Sequence, residues 1–180
     1  MSMETLRKTA PTGAPLDDAV FRAVYEFLTL ESDCLGAGDL VAWYALLAPQ
    51  ISYRVMAPAF MDPARPRHYG RGTPYFDEDT HSLAIRVRQL STPTFTIAEN
   101  PPTIARHFVT NIRAARTDEG IEALSNVLVL RVRSTEPEPA LVSARRVDLL
   151  VETPAGLRLA TRLAQLDQVS VRQPNLSFFV

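Results

Sequence analysis

Cysteine is almost absent from this sequence of 180 residues, and its scarcity limits the chemistry that the chain can perform. Cys34 is the only cysteine. No disulfide can therefore form within the chain, and the sequence suits a reducing cytoplasm. A Rieske cluster is also excluded, because it requires two cysteine and two histidine ligands. Cys34 adjoins Leu35 in a predicted helix, which favours a packing role over that of a nucleophile.

Histidine and glycine are also scarce. The three histidines, His68, His81 and His107, show none of the spacings that are typical of zinc or redox-metal sites. A mononuclear iron site needs two histidines and a carboxylate. The chain has enough of these residues, but their spacing does not indicate such a site. The 7 glycines form neither a phosphate-binding loop nor a nucleophile elbow. The sequence therefore predicts no catalytic residue and no metal ligand in this chain.

Long apolar runs and a charge excess of one sign are absent too. The net charge is −1, so nothing favours nucleic acid as a partner. No run approaches the ~18 apolar residues of a membrane span, which predicts a soluble protein. At 46% hydrophobic content, the chain suffices for one core. We expect a flexible arm over residues 1–15, without a secretory pattern after Lys8, and a single domain over 16–180.

The N-terminal half has the patterns of three helices. The first begins near Leu16 and ends at Gly36-Ala-Gly38, and Asp39 caps a short second helix that stops at Pro49. The third follows Asp77-Glu-Asp79, whose charges suit the positive end of a helix dipole. Between the second and third helices, the sequence predicts a short strand over Ile51–Met56 and a long irregular loop over residues 57–76.

The C-terminal half alternates between polar and apolar residues. Turn signals separate four runs, which span residues 103–116, 121–134, 140–152 and 157–171. Antiparallel strands of this length must twist and curl. Helices followed by a curled sheet predict an α+β fold in which the helices pack on one sheet face. In the first run, polar residues fall on both faces, which indicates that both faces are covered or that one lines a polar cavity.

Several segments, in the right order over residues 20–180, resemble the β-subunit family of aromatic-ring-hydroxylating dioxygenases. Each segment alone carries little weight, whereas the ordered set is fairly specific. The segments are Tyr25–Glu31, Asp39–Leu47, Ile51–Val55, Glu99–Asn111 with its Pro-Pro and Arg-His pairs, Ser125-Asn126, Arg145–Asp148, Arg162–Asp167 and Asn175–Val180.

The resemblance implies a fold similar to nuclear transport factor 2 and scytalone dehydratase, in which about three helices close a cone formed by a curled, mixed sheet. It implies a non-catalytic small subunit that assembles and stabilises catalytic α subunits for dihydroxylation of an aromatic compound with O2 and NADH. The α subunit would hold the Rieske [2Fe-2S] cluster and the mononuclear iron, and this chain would hold no cofactor. Three α and three β subunits would form a cytoplasmic hexamer.

The resemblance also suggests which residues contact other subunits. The group of polar residues that most clearly suggests a functional role consists of Arg106, His107 and Asn111. They are interpreted either as a contact with an α or a neighbouring β subunit, or as a polar network inside the mouth of the cone. Asp167, Asn175 and Phe178 are further interface candidates. Local capping is the alternative for Asp167 and Asn175, and docking into the fold is the alternative for Phe178.

Asp148 and Arg162 are predicted to form a structural pair. They lie on neighbouring strands of a predicted hairpin around Pro154-Ala-Gly156. An alternative hypothesis for the whole chain is a free-standing lyase, isomerase or small-ligand binding protein with the cone fold. It requires His81 and His107 to converge in a cavity with a carboxylate such as Asp33 or Asp148.

Overall fold

A curled sheet with helices on one face forms the body of the protein. The structure is a computed structural model that describes residues 9–58, 74–92, 103–135, 137–168 and 178–180. In chain order, the elements of these residues are β1 (Ala14–Pro15), α1 (Asp18–Ala37), α2 (Leu40–Ala45), β2 (Leu47–Met56), β3 (Pro74–Asp79), α3 (Thr80–Ser91), β4 (Ile104–Thr117), β5 (Gly120–Val132), β6 (Ala140–Thr153) and β7 (Gly156–Leu166).

The strands form one mixed sheet in the order β1-β4-β5-β6-β7-β2-β3. Only the pairing of β2 with β7 is parallel among these strands, and every other pairing is antiparallel. The four long C-terminal strands form a meander, because each turns back on its predecessor at a predicted turn. The α+β class, the curled open sheet and the three helices are confirmed, in agreement with a cone.

Polar caps set the ends of the helices. The Asp17 carboxylate accepts a hydrogen bond from the main-chain N–H of Val20 at the start of α1. At the end of α1, Gly38 adopts φ 73°, a left-handed conformation that glycine accommodates without strain. Asp79 and Ser82 form a reciprocal capping box at the start of α3.

Two boundaries around β2 and β3 differ from the sequence prediction. Strand β2 begins at Leu47 rather than Ile51, and Pro49 lies inside it instead of ending α2. The pairing with β7 is irregular between Leu47 and Ser52, so the missing N–H of Pro49 breaks no regular ladder. Asp77 and Glu78 belong to β3 and pair with β2 rather than opening α3. Of the predicted loop, residues 59–73 lie outside the described residues.

The part of the predicted N-terminal arm that the structure describes lies against β4 and β5. Ala14 and Pro15 pair with Arg116 and Ala115 at the edge of the sheet. The main-chain N–H of Thr12 donates a 2.7 Å hydrogen bond to the Glu122 carboxylate. Residues 1–8 lie outside the described residues.

The core lies between the helices and the inner sheet face. Apolar residues of α1 such as Val24 and Leu28 are fully buried there, as are Trp43 of α2 and Tyr53 of β2. This burial is the main source of stability. Within the described ranges, no helix is both long and apolar enough to cross a membrane.

Candidate subunit interface

The outer face of the sheet, away from the helices, carries large apolar side chains that this chain leaves exposed. Alternation along β4 turns Ala105 and Val109 towards the core and Ile104 and Phe108 outwards. Strand pairing extends the outer row sideways, since Ile104 lies opposite Val132 and Phe108 lies opposite Leu128. The outward residues of three strands therefore form one continuous surface.

We call the apolar part of this surface the outer patch. Its five residues are more exposed than is usual for large apolar side chains, at 59% for Ile104, 51% for Phe108, 39% for Leu128, 42% for Val132 and 54% for Leu141. They supply half of the ten exposed large apolar residues among the described ones. A contiguous exposed apolar patch on a globular protein commonly marks a binding surface.

Polar groups border the outer patch. Asn126 and Arg145 lie opposite each other on β5 and β6. Arg106 lies between Ile104 and Phe108 on the edge strand β4, and its guanidinium is close to Gly36 of α1. Ser143 donates a 2.8 Å hydrogen bond to the exposed Asp167 carboxylate. An apolar centre that includes Phe, with arginine at its rim, is the composition that stable protein interfaces favour.

Two depressions, of about 410 and 470 Å³, lie side by side along this rim. Asn126 and Arg145 line both of them. Phe108 and Asp167 line the larger depression, and Asn111 lines the smaller one. The outer face is therefore indented as well as apolar. A protruding segment of a partner would bind in these depressions.

Asn111 owes its position to the backbone. Its φ of 55° is the only positive value among the described residues other than glycine. The β4–β5 register shifts between Thr110 and Arg113, so Asn111 lies in a bulge. Asparagine tolerates the left-handed conformation better than most residues do. The bulge turns Asn111 outwards, into the smaller depression.

His107 and Phe178, two other predicted interface residues, lie on the inner side of the sheet. The His107 imidazole Nε2 is 3.0 Å from the carbonyl oxygen of Phe179. Because a carbonyl only accepts, Nε2 must carry the proton, and burial lowers the pKa of His107 so that the ring is neutral near pH 7. Phe178 is 4% exposed and lies under the Arg131 guanidinium. Asn175 lies outside the described residues.

Asp148 and Arg162, the predicted structural pair, face each other across β6 and β7. The Arg162 guanidinium donates from Nε and Nη2 to the two carboxylate oxygens, at 2.8 Å each. Both side chains are completely buried. This fork-to-fork geometry satisfies both carboxylate oxygens inside the protein.

Sequence reasoning missed Glu31, which completes a buried ionic network. Its two oxygens accept hydrogen bonds of 2.6 and 2.8 Å from Arg162 and one of 3.2 Å from Arg146. The Trp43 indole N–H donates a further bond of 3.2 Å. Burial alone would raise the pKa of Glu31, but the charges of Arg162 and Arg146 outweigh it and lower the pKa from 4.5 to about 2.

A sequence signal for Glu31 was available. Glu31 continues the apolar stripe of α1 that runs through Val24, Phe27 and Leu28 to Leu35. A carboxylate on the core-facing side of a helix must find a buried partner, because isolated buried charges are too costly. The alternating pattern of β6 places Arg146 on an inward position with Val142 and Ala144, so one partner was identifiable. The irregularity in the β6–β7 pairing breaks the alternation of β7 before Arg162, which hides the second partner.

The acid and base groups of the free-standing enzyme hypothesis do not gather in one place. His81 and Asp33 are exposed on α3 and α1, whereas Asp148 is buried and bound to Arg162. His107 is engaged with Phe179. In the parts of the chain that the structure covers, no three His, Cys, Asp or Glu side chains are grouped as a metal site would need.

The fold and comparisons with known proteins agree on the class. The open curled sheet closed by helices is a cone fold, and it is shared with a chain of naphthalene 1,2-dioxygenase at a TM-score of 0.80 and 21% identity, covering 92% of this chain and 88% of that one. The family model of the ring hydroxylating beta subunit matches residues 31–173. The chain therefore belongs to the ring-hydroxylating β-subunit family.

Curated relatives extend this similarity over nearly the whole chain. The biphenyl 2,3-dioxygenase β subunit of Rhodococcus jostii is 27% identical, covering 99% of this chain and 97% of the relative. The benzene 1,2-dioxygenase β subunit of Pseudomonas putida is 28% identical, covering 97% and 94%. The expectation that the chain is the β subunit of an aromatic-ring dioxygenase is confirmed by these relatives.

Proposed function

We propose that this chain is the non-catalytic subunit that holds the catalytic α subunits of a cytoplasmic aromatic-ring-hydroxylating dioxygenase in place, three of each forming a hexamer. The α subunit would carry the Rieske [2Fe-2S] cluster and the mononuclear iron, and the aromatic ring would be dihydroxylated there. Relatives that are named as β subunits of biphenyl and benzene dioxygenases support this assignment.

The outer patch is the observation that carries the proposal. In a protein that acts alone, exposed Phe, Leu, Ile and Val side chains on three neighbouring strands would promote aggregation. Covering it with a second subunit removes the liability and contributes to binding, at about 25 cal/mol for each Å² of apolar surface buried.

The charges of the rim limit which contact is possible. Arg145 and the exposed Asp167 carboxylate line the same depression at the rim. Charges of both signs there call for a partner that presents an acidic and a basic group opposite them. We place that partner surface on the α subunit or on another face of a neighbouring β subunit.

The predicted interface residues take different parts in this proposal. Asn111 and Asp167 lie on the outer face and would contact the partner directly. Arg106 would do so from the β4 edge beside α1. His107 and Phe178 would act indirectly, by fixing the inner side of the sheet that supports the patch. Asn175 remains a predicted contact.

Co-expression with a Rieske-type large subunit of a ring-hydroxylating dioxygenase tests the function. We expect one complex with the mass of three large and three small subunits by light scattering, with the visible absorbance of iron–sulfur centres in the same peak. The chain purified alone should have no visible colour and no dioxygenase activity. Separate elution of the two chains at micromolar concentrations would contradict the proposal.

A further inference from the structure

The interior of the cone holds an aromatic ring that belongs to this chain. Phe179 lies 4.2 Å from Trp43 between ring centroids, tilted by 32°. Tyr53 meets Phe179 edge to face at 6.1 Å, and it meets Trp43 in the same way at 6.0 Å. Such arrangements are favourable contacts for aromatic rings. Trp43 and Tyr53 therefore form two walls of a box, and the Phe179 ring fills it.

Side chains from distant parts of the sequence also bind the main chain of the Phe178–Val180 segment. The Tyr53 hydroxyl accepts from the Val180 N–H at 2.9 Å and donates to the Val180 oxygen at 2.6 Å. Arg162 donates to the same oxygen at 3.1 Å. His107 donates to the Phe179 oxygen at 3.0 Å. The segment is thus held through a ring, two main-chain oxygens and an N–H, as a small ligand would be.

The receptor groups are oriented by partners other than the segment. Asp148 and Glu31 each fix the Arg162 guanidinium with two hydrogen bonds. Glu31 also accepts from the Trp43 indole. Removing the segment would leave these contacts in place, so the box and its hydrogen-bond donors would remain preorganised for another occupant.

The segment also lines a cavity next to this box. The cavity has a volume of about 200 Å³ and is lined by Phe178, Phe179 and His107 together with Leu35, Leu40 and Leu90. Displacement of Phe178 and Phe179 would join the cavity to the box. A small apolar molecule would then have a route to Trp43 from the surface.

We propose that the cone interior is a binding site for an aryl group that carries a carbonyl oxygen and an N–H a few bonds away, and that the Phe178–Val180 segment occupies this site in cis. Aromatic amides and phenylalanine-containing peptides have this chemistry. The site lies on the inner sheet face, opposite the outer patch, so binding of a small probe here can be measured on the isolated chain without subunit assembly.

Trp43 is the only tryptophan, so its fluorescence reports on the site directly. A variant that ends at residue 177 removes the occupant. We expect N-acetylphenylalaninamide to shift Trp43 emission saturably and to raise the thermal midpoint of this variant, with no response from the full chain at the same concentration. N-acetylleucinamide is the matched control without an aryl group and should have no effect. Tyr53→Phe in the shortened chain should weaken binding about fivefold, as the loss of one ordinary hydrogen bond would.

A second variant covers the case in which the shortened chain does not fold. Phe179→Ala keeps the main-chain contacts and vacates only the ring position, so toluene should bind beside Trp43 and shift its emission. Phe179→Leu, which fills most of the position, should not respond. Folded variants whose Trp43 emission ignores both probes would overturn the proposal. So would equal binding of the leucine compound, or an equal response from the full chain.

Discussion

Arg162 lies directly opposite Asp148 across β6 and β7, and its guanidinium makes two 2.8 Å hydrogen bonds to the carboxylate. The same guanidinium also binds Glu31 of α1. One arginine therefore ties the sheet to the helix layer above it. Desolvation alone would lower the pKa of Arg162, but Asp148 and Glu31 raise it well above its ordinary value. The arginine remains charged at every pH at which the protein is folded.

Asp148→Asn should destabilise the folded chain strongly. The substitution keeps the side-chain shape but leaves the charge of Arg162 only partly compensated in a fully buried position. Breaking a buried ion pair in this way costs about 3–5 kcal/mol. For a chain of this size, that corresponds to a thermal midpoint lower by roughly 10 °C, measured by circular dichroism.

Asp118→Asn is the matched control, because Asp118 is exposed in the turn between β4 and β5. Its free energy of unfolding should stay within about 0.5 kcal/mol of that of the parent. Equal effects of the two substitutions would show that the Arg162–Asp148 pair does not stabilise the fold.

Glu31 should make the protein sensitive to acid. Its pKa falls from 4.5 to about 2 on folding, so the unfolded chain binds a proton first as the pH falls. The stabilisation is complete above pH 4.5, is lost progressively down to pH 2, and amounts to about 3 kcal/mol. Urea unfolding at a series of pH values measures this slope.

Glu31→Gln should lower stability at neutral pH and flatten the slope between pH 4.5 and 2. His107 acts in a higher range, because burial lowers its pKa from 6.5 and protonation then favours the unfolded chain. His107→Gln should therefore flatten the slope just below pH 6.5. An unaltered acid slope in the Glu31 variant would contradict the assignment of that slope to Glu31.

Asn111 offers a way to separate a backbone role from an interface role. Its φ of 55° is readily adopted by glycine and is unfavourable for β-branched residues. Asn111→Val should therefore cost about 1–3 kcal/mol of folding free energy, whereas Asn111→Gly should fold normally. Chemical unfolding of the isolated chain checks both expectations.

The glycine variant then tests the side chain alone. If the Asn111 amide contacts another subunit, Asn111→Gly should weaken association without changing stability. Wild-type affinity in that variant would confine the role of Asn111 to the bulge.

Local patterns were sufficient to predict most of the fold. The turn at Pro154-Ala-Gly156 predicts the β6–β7 hairpin and so brings Asp148 and Arg162 onto neighbouring strands, whereas the register shift between Leu149 and Leu150 is what sets them directly opposite each other. The end of α1 at Gly38 and the four long strands depended on equally local signals, namely the left-handed cap and the alternation.

Non-local pairings account for what sequence reasoning missed. Asp77 and Glu78 have polar side chains that suit a helix start, and only their pairing with β2 makes them part of a strand. Pro49 taken alone predicts the end of a helix. In the structure it lies within β2, because β2 pairs with β7 from Leu47 onwards. The outer patch likewise requires the registers of β4, β5 and β6 together, because its residues are scattered from Ile104 to Leu141 along the chain.

The outer patch is the central claim, and a charge placed in its middle tests it most directly. Phe108→Asp should leave the isolated chain folded, because the ring is 51% exposed, but should abolish assembly by placing an unpaired charge in a buried contact. Ile85→Asp is the matched control, since Ile85 is 46% exposed on α3, away from the sheet face.

The decisive measurement is the mass of the co-expressed complex by light scattering for the parent, Phe108→Asp and Ile85→Asp proteins. We predict the full complex for the parent and for Ile85→Asp, and a folded but unassembled small subunit for Phe108→Asp. A full complex with Phe108→Asp would contradict the assignment of the outer patch as the subunit interface.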